Sequence, residues 1–62
     1  MEKTQELYEQ IKALYEAFDE NHNQNVESGT KASATRARKA IGEIKKIATS
    51  YRKASVEESK GS

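Results

Sequence analysis

Residues 31–60 read KASATRARKAIGEIKKIATSYRKASVEESK, and the spacing of two residue classes within this stretch decides the fold. The cations recur every seven residues in two columns, Lys31, Arg38, Lys45, Arg52 and Lys39, Lys46, Lys53, Lys60. Seven residues are nearly two turns of an α-helix, so both columns share one side of a rod, while Ala37, Ile41, Ile44, Ala48 and Tyr51 fall on the other. At about 100° per residue the eight cations fit within an arc of about 140°. Arg36 is the one basic residue of this half outside that arc. No Pro interrupts the pattern, and Gly42 inside it costs only about 1 kcal/mol relative to Ala. A helix from residue 31 to about residue 57 is expected, followed by a polar, frayed tail over about 58–62.

Working back toward the amino terminus, Ser28, Gly29 and Thr30 read as a break over about residues 28–30. Gly29 suits the left-handed conformation that ends a helix, and Thr30 suits the cap of the next one. Before the break, Leu7, Ile11, Leu14 and Phe18 are spaced 4-3-4, the seam of an amphipathic helix over about residues 4–27 with Thr4 as its cap. Beyond Phe18 the seam weakens into Asn21, His22, Asn25 and Val26, poorer helix formers at which fraying or bending is expected.

A short turn makes the two helices antiparallel neighbours. The expectation is an all-α fold, a single helical hairpin over residues 1–62. Counting outward from Gly29 pairs Phe18 with Ile41, Leu14 with Ile44, Ile11 with Ala48 and Leu7 with Tyr51. Tyr8 and Tyr15 on helix 1, and Ala40, Ile47 and Ala54 on helix 2, then lie beside the seam as a second apolar edge. Two such edges would hide each other in a homodimeric four-helix bundle. Leu7, Ile11, Leu14, Tyr15, Phe18, Ile41, Ile44, Ile47 and Tyr51 are therefore the candidate core and oligomer residues. Sixty-two residues with 34% hydrophobic content cannot build a large interior, which makes self-association the expected remedy.

The same numbers exclude several function classes. An enzyme-like pocket has no room, and no Gly-rich phosphate loop, metal-ligand cluster or nucleophile–base set is present. No catalytic residue, metal site, cofactor or small-molecule substrate is expected. No apolar run approaches the length of a membrane span and the first residues carry no signal-peptide core, so a soluble, intracellular chain without a membrane partner is expected. The chain has no Cys, which removes disulfides and thiolate sites.

The net charge of +1 averages two unlike halves. Residues 1–28 carry seven acids against Lys3 and Lys12, a net −5, whereas residues 29–62 carry nine cations against Glu43, Glu57 and Glu58, a net +6. Glu9, Glu16 and Glu20 point away from the first seam and Lys39, Lys46 and Lys53 away from the second, so they do not neutralise each other. Solubility alone would be served by a mixed surface. A one-sided cationic ridge instead suits a polyanion, and Lys31, Arg36, Arg38, Lys39, Lys45, Lys46, Arg52 and Lys53 are the candidate phosphate contacts. Asn and Gln lie mostly in helix 1, so base-specific readout is not expected.

Other residues favour plain roles. His22 is the only histidine and lacks co-ligands. The acid pairs Asp19-Glu20 and Glu57-Glu58 have no pocket to raise a pKa. Tyr8, Tyr15 and Tyr51, at helical spacing, read as core or interface before they read as base-stacking platforms.

The stretch Lys31-Ala32, Thr35 through Ala40, Glu43 through Ala48 and Tyr51-Arg52-Lys53-Ala54-Ser55 resembles the bacterial histone H1-like nucleoid proteins, the group that includes the chlamydial developmental nucleoprotein. The likeness is close over Gly29–Lys60; helix 1 matches in length and apolar spacing. It implies nonspecific binding to double-stranded DNA, compaction, and a place in the cytoplasm at the bacterial nucleoid. The chlamydial members continue into a Lys/Ala-rich basic tail that this sequence lacks, which implies weaker binding per subunit and compaction through oligomers that bridge DNA. The competing reading is a coiled-coil adaptor whose basic face docks on an acidic protein partner.

Overall fold

The computed structural model describes residues 2–60, with Glu2 described in its backbone alone. Two helices, α1 (Glu2–Ser28) and α2 (Lys31–Lys60), fold back on each other as an antiparallel hairpin 49 Å long and little more than one helix pair thick. Both run further than their patterns indicate. Helix α1 continues unbroken through its Asn-rich end to Ser28, and α2 continues through Lys60, past the expected end near residue 57. The remaining tail residues, Gly61 and Ser62, lie outside the described residues.

The turn is Gly29 and Thr30. Gly29 takes φ +67°, a conformation that L side chains resist, and its N–H donates to the Asn25 carbonyl at 2.7 Å. Asn25 Nδ2 reaches over the turn to the Thr30 carbonyl at 3.0 Å. Thr30 stands at the start of α2, where its carbonyl also accepts from Ala34 N–H and from the Ser33 hydroxyl. The Thr30 hydroxyl lies 2.7 Å from Ser33 Oγ. Since Ser33 donates to the carbonyl, the Thr30 hydroxyl is the donor between them. Ser33 is completely buried, and these two bonds satisfy it.

A two-residue turn holds the helix axes close at this end, and only small side chains fit between them. Ser33, Ala37 and Ala40 are the buried residues of α2, and they continue as a 4-3 series through half-buried Ile44 and Ile47 to Ala54 and Glu58. This corrects the register read from the sequence. Ile41 is 45% exposed and stands on the flank, while Ala40, Ile47 and Ala54, expected beside the seam, occupy it. Ile44 keeps its seam position, and Tyr51 sits in the same series although 37% exposed. On α1 the expected seam holds: Leu7 is buried, and Ile11, Leu14 and Phe18 are half-buried. Asn21 and Asn25 extend it toward the turn, half-buried. Asn21 Nδ2 donates to the Ala17 carbonyl at 2.8 Å, which lets a polar residue occupy a seam position without breaking the helix.

At the open end Thr4 is inside the first turn of α1, not its cap. Its backbone N–H and its hydroxyl both donate to the Glu58 carboxylate of α2, at 3.1 and 2.7 Å. One of the unpaired donors of a helix N-terminus is thus satisfied from across the hairpin, by a carboxylate that the helix dipole also favours there. Leu7, Ala37 and Ala40 are the buried apolar residues among those described, a core small enough to leave much apolar surface open.

Candidate nucleic-acid interface

With Ala37, Ala40, Ile44 and Ile47 turned inward, the two basic columns of α2 take the outward face. Lys31, Arg38, Lys39, Lys45, Lys46, Arg52 and Lys53 are all exposed, and Lys60 continues the second column. Between the columns runs a third, Thr35, Gly42 and Thr49, also exposed. Lys45 and Arg52, four and one residues from the seam positions Ile41 and Tyr51 read from the sequence, stand on this outer face in the observed register. Among the described residues no ion pair joins the ridge to an acid of α1. Arg38 Nη2 makes a long bond, 3.4 Å, to the Thr35 hydroxyl, which lies within the ridge itself.

Arg36 does not join this face. Its Nε donates to Asn21 Oδ1 at 2.7 Å and its Nη2 reaches Gln24 Oε1 at 3.4 Å, so the guanidinium spans the edge between the helices near the turn. Both partners are neutral. The latch orients the group and leaves its charge uncompensated. It also explains how Asn21 is fully used: its amide nitrogen serves its own helix and its oxygen serves α2.

The Arg36 latch fixes which flanks adjoin on one side of the hairpin, and therefore which adjoin on the other. Along the latched edge Ala17, Arg36, Ala40 and Glu43 line a shallow groove, and Lys3, Ser50, Ala54 and Glu57 line a second one nearer the open end. The opposite edge is apolar. Tyr8 (49% exposed), Tyr15 (56%) and His22 follow one another seven residues apart down α1, and Ile41 and Ala48 do so down α2. Phe18 bridges two of these rings, its centroid 6.4 Å from Tyr15 and 6.0 Å from His22, with the His22 ring nearly parallel to it. His22 is thus an exposed ring stacked on an aromatic neighbour. Among the described residues no group of acids and histidines is arranged to hold a metal ion, and no helix is long and apolar enough to cross a membrane.

One carboxyl departs from its ordinary range. The positive amino terminus and then the Thr4 hydroxyl hold Glu58 low by favouring its charged form; burial opposes them less strongly, and the Thr4 amide lowers it by less again.

The sequence of this hairpin matches the family described as Histone H1-like protein Hc1 over residues 5–61, both helices included. The chain belongs to the Hc1 family. No curated protein and no solved structure gave a significant match. The Hc1 match extends the resemblance seen over residues 29–60 across α1 as well.

The sequence alone locates the ridge but misses three features of the site: the Arg36 latch, the Thr4–Glu58 bond and the exchange of seam for flank on α2. The latch had one signal, the position of Arg36 outside the basic arc. The other two depend on register across the hairpin, which no local pattern encodes.

Proposed function

We propose that this Hc1-family chain binds double-stranded DNA with little sequence preference, through the outer face of α2, and serves as an architectural protein of the bacterial nucleoid. Membership of a histone H1-like family points to DNA binding and nucleoid architecture. The observation that carries the reading further is a ridge of cations, every one exposed, with no acid of α1 paired to it among the described residues. Such a surface neutralises phosphates and releases counterions, which gives affinity without base readout. Asn21 and Asn25, the amides nearest the ridge's turn end, are engaged within the hairpin. The acidic outer face of α1 repels DNA and sets which side of the molecule binds.

The apolar edge of Tyr8, Tyr15 and Ile41 is the proposed dimer surface. A hairpin with so small a core gains most by covering it, and a second copy offers the same edge. Two ridges in one particle would hold two DNA segments or lengthen one footprint.

The test is a gel-shift titration with two unrelated duplexes of equal length at low and moderate salt. Equal binding to both that weakens steeply with salt is the expected result. No binding at low salt would overturn the reading and turn the search toward an acidic protein partner.

A further inference from the structure

Gly42 stands in the middle of the basic ridge, and nothing inside the protein calls for a glycine there. It lies within the regular run of α2, and the one positive φ among the described residues belongs to Gly29. Beyond its chain neighbours and the backbone of its own helical turns, a Cβ built on Gly42 would meet no atom within 4 Å. Neither backbone conformation nor packing therefore excludes a side chain, and a glycine inside a helix weakens it. The residues three and four positions away on either side are Arg38, Lys39, Lys45 and Lys46. Helix geometry makes these the nearest surface neighbours of Gly42, so four cations ring a patch of bare helix backbone.

We infer that Gly42 is the seat of a DNA phosphate: the missing side chain lets one phosphodiester of the duplex drop between the four cations until it touches the helix. The inference rests on the proposed DNA binding through α2 and adds its point of closest approach. The backbone N–H groups of this turn are spent within the helix, so the attraction comes from the side chains of Arg38, Lys39, Lys45 and Lys46 and from proximity. Attraction falls with distance. A methyl group that lifts the phosphate by about 1.5 Å from about 6 Å, at near-water screening, weakens each seat about threefold through the loss to four cations. A larger side chain lifts it further. Thr35 and Thr49 occupy the same column one repeat to either side, where their side chains cover the backbone.

The decisive experiment measures duplex binding and thermal stability together for the full chain and for Gly42→Ala and Gly42→Leu, at low salt. Because the helix prefers either residue to glycine, both variants should melt higher, by about 4–8 °C for the alanine. Binding should move the opposite way, about threefold weaker for alanine and about sixfold weaker for leucine, which lifts the phosphate by about 4 Å, in order of the height added above the helix. Higher melting with unchanged affinity would overturn the phosphate seat while leaving DNA binding by the ridge intact. Lower melting would show that Gly42 serves the fold, and would overturn it too. If the unsubstituted chain does not bind duplex DNA at all, the underlying reading fails, and the titration of that chain alone makes this visible.

Discussion

Thr4 and Glu58, separated by 54 residues of sequence, share a two-point bond in which the backbone N–H and the hydroxyl of Thr4 meet the two oxygens of one carboxylate. The bond closes the end of the hairpin opposite the Gly29 turn. It also couples the start of one helix to the last turns of the other, where both would otherwise fray.

The pH dependence of this closure has a definite sign. The folded protein lowers the Glu58 pKa, so the carboxylate's contribution to stability is fully present above its unfolded value and is lost as pH falls through the lowered folded one. The protection factor of the Thr4 amide, the intrinsic over the observed exchange rate at each pH, should be high at neutral pH and should fall on acidification below the carboxylate range, relative to amides near the turn. In Glu58→Gln the protection factor should be low throughout and nearly indifferent to this titration. A Thr4 amide equally protected in the variant would show that the bond does not hold the end closed.

The exchange of seam and flank on α2 makes a stability prediction of its own. Ala40→Leu forces a larger side chain between axes held close by a two-residue turn and should destabilise the hairpin by about 1–3 kcal/mol. Ile41→Leu, one residue away and exposed, should stay within about 0.5 kcal/mol. Denaturant titrations of the two variants check this directly, and the reverse ranking would restore the register in which Ile41 faces Phe18.

That register shows where the sequence is legible and where it is not. The 4-3-4 spacing of Leu7, Ile11, Leu14 and Phe18 prevails on α1 because the competing series, Tyr8, Ile11, Tyr15 and Phe18, carries a tyrosine hydroxyl at two of its four positions. On α2 two series compete. Ile41, Ile44, Ala48 and Tyr51 have the larger side chains, whereas Ser33, Ala37, Ala40, Ile44 and Ile47 have the smaller, and hydrophobicity favours the first. The turn length decides for the second, since close axes select small residues, and that is a property of the folded pair. The basic ridge survives the change: the Lys39, Lys46, Lys53 column lies outside under either register, and Arg38, Lys45 and Arg52 stand further from the seam in the observed one. Arg36 is different: whether it reaches phosphate or Asn21 depends on the register, and the structure places it with Asn21.

Ridge and latch can be separated by binding measurements. Reversing Arg38, Lys45 and Arg52 to Glu should abolish duplex binding with helicity unchanged. Neutralising Lys45 alone should flatten the slope of log affinity against log salt by about 0.9, the loss of one phosphate contact. Arg36→Gln should leave that slope nearly unchanged while lowering stability by about 0.5–1.5 kcal/mol through the bonds to Asn21 and Gln24. If Arg36→Gln flattens the slope as much as Lys45→Gln does, the guanidinium leaves Asn21 to bind DNA, and the latch is a resting state.

The apolar edge predicts how binding and assembly divide. Tyr15 and Ile41 are both about half exposed and lie on adjoining flanks, Ile41 beside the Arg38–Lys45 column but carrying no charge itself. Their substitution removes contact area from a dimer without touching the ridge. The double variant Tyr15→Ser/Ile41→Ser should sediment as a monomer at concentrations where the parent chain is a dimer, and should still shift a short duplex, with affinity reduced as one ridge replaces two. It should fail to hold two duplexes in one complex, measured as co-capture of a free labelled duplex by an immobilised one. A variant that remains dimeric would place the interface elsewhere, and the latched edge with its grooves beside Ala17, Ala40, Ser50 and Ala54 would be the next surface to substitute. A monomer that still joins two duplexes would mean that a single hairpin carries two DNA-binding faces, which the acidic surface of α1 argues against.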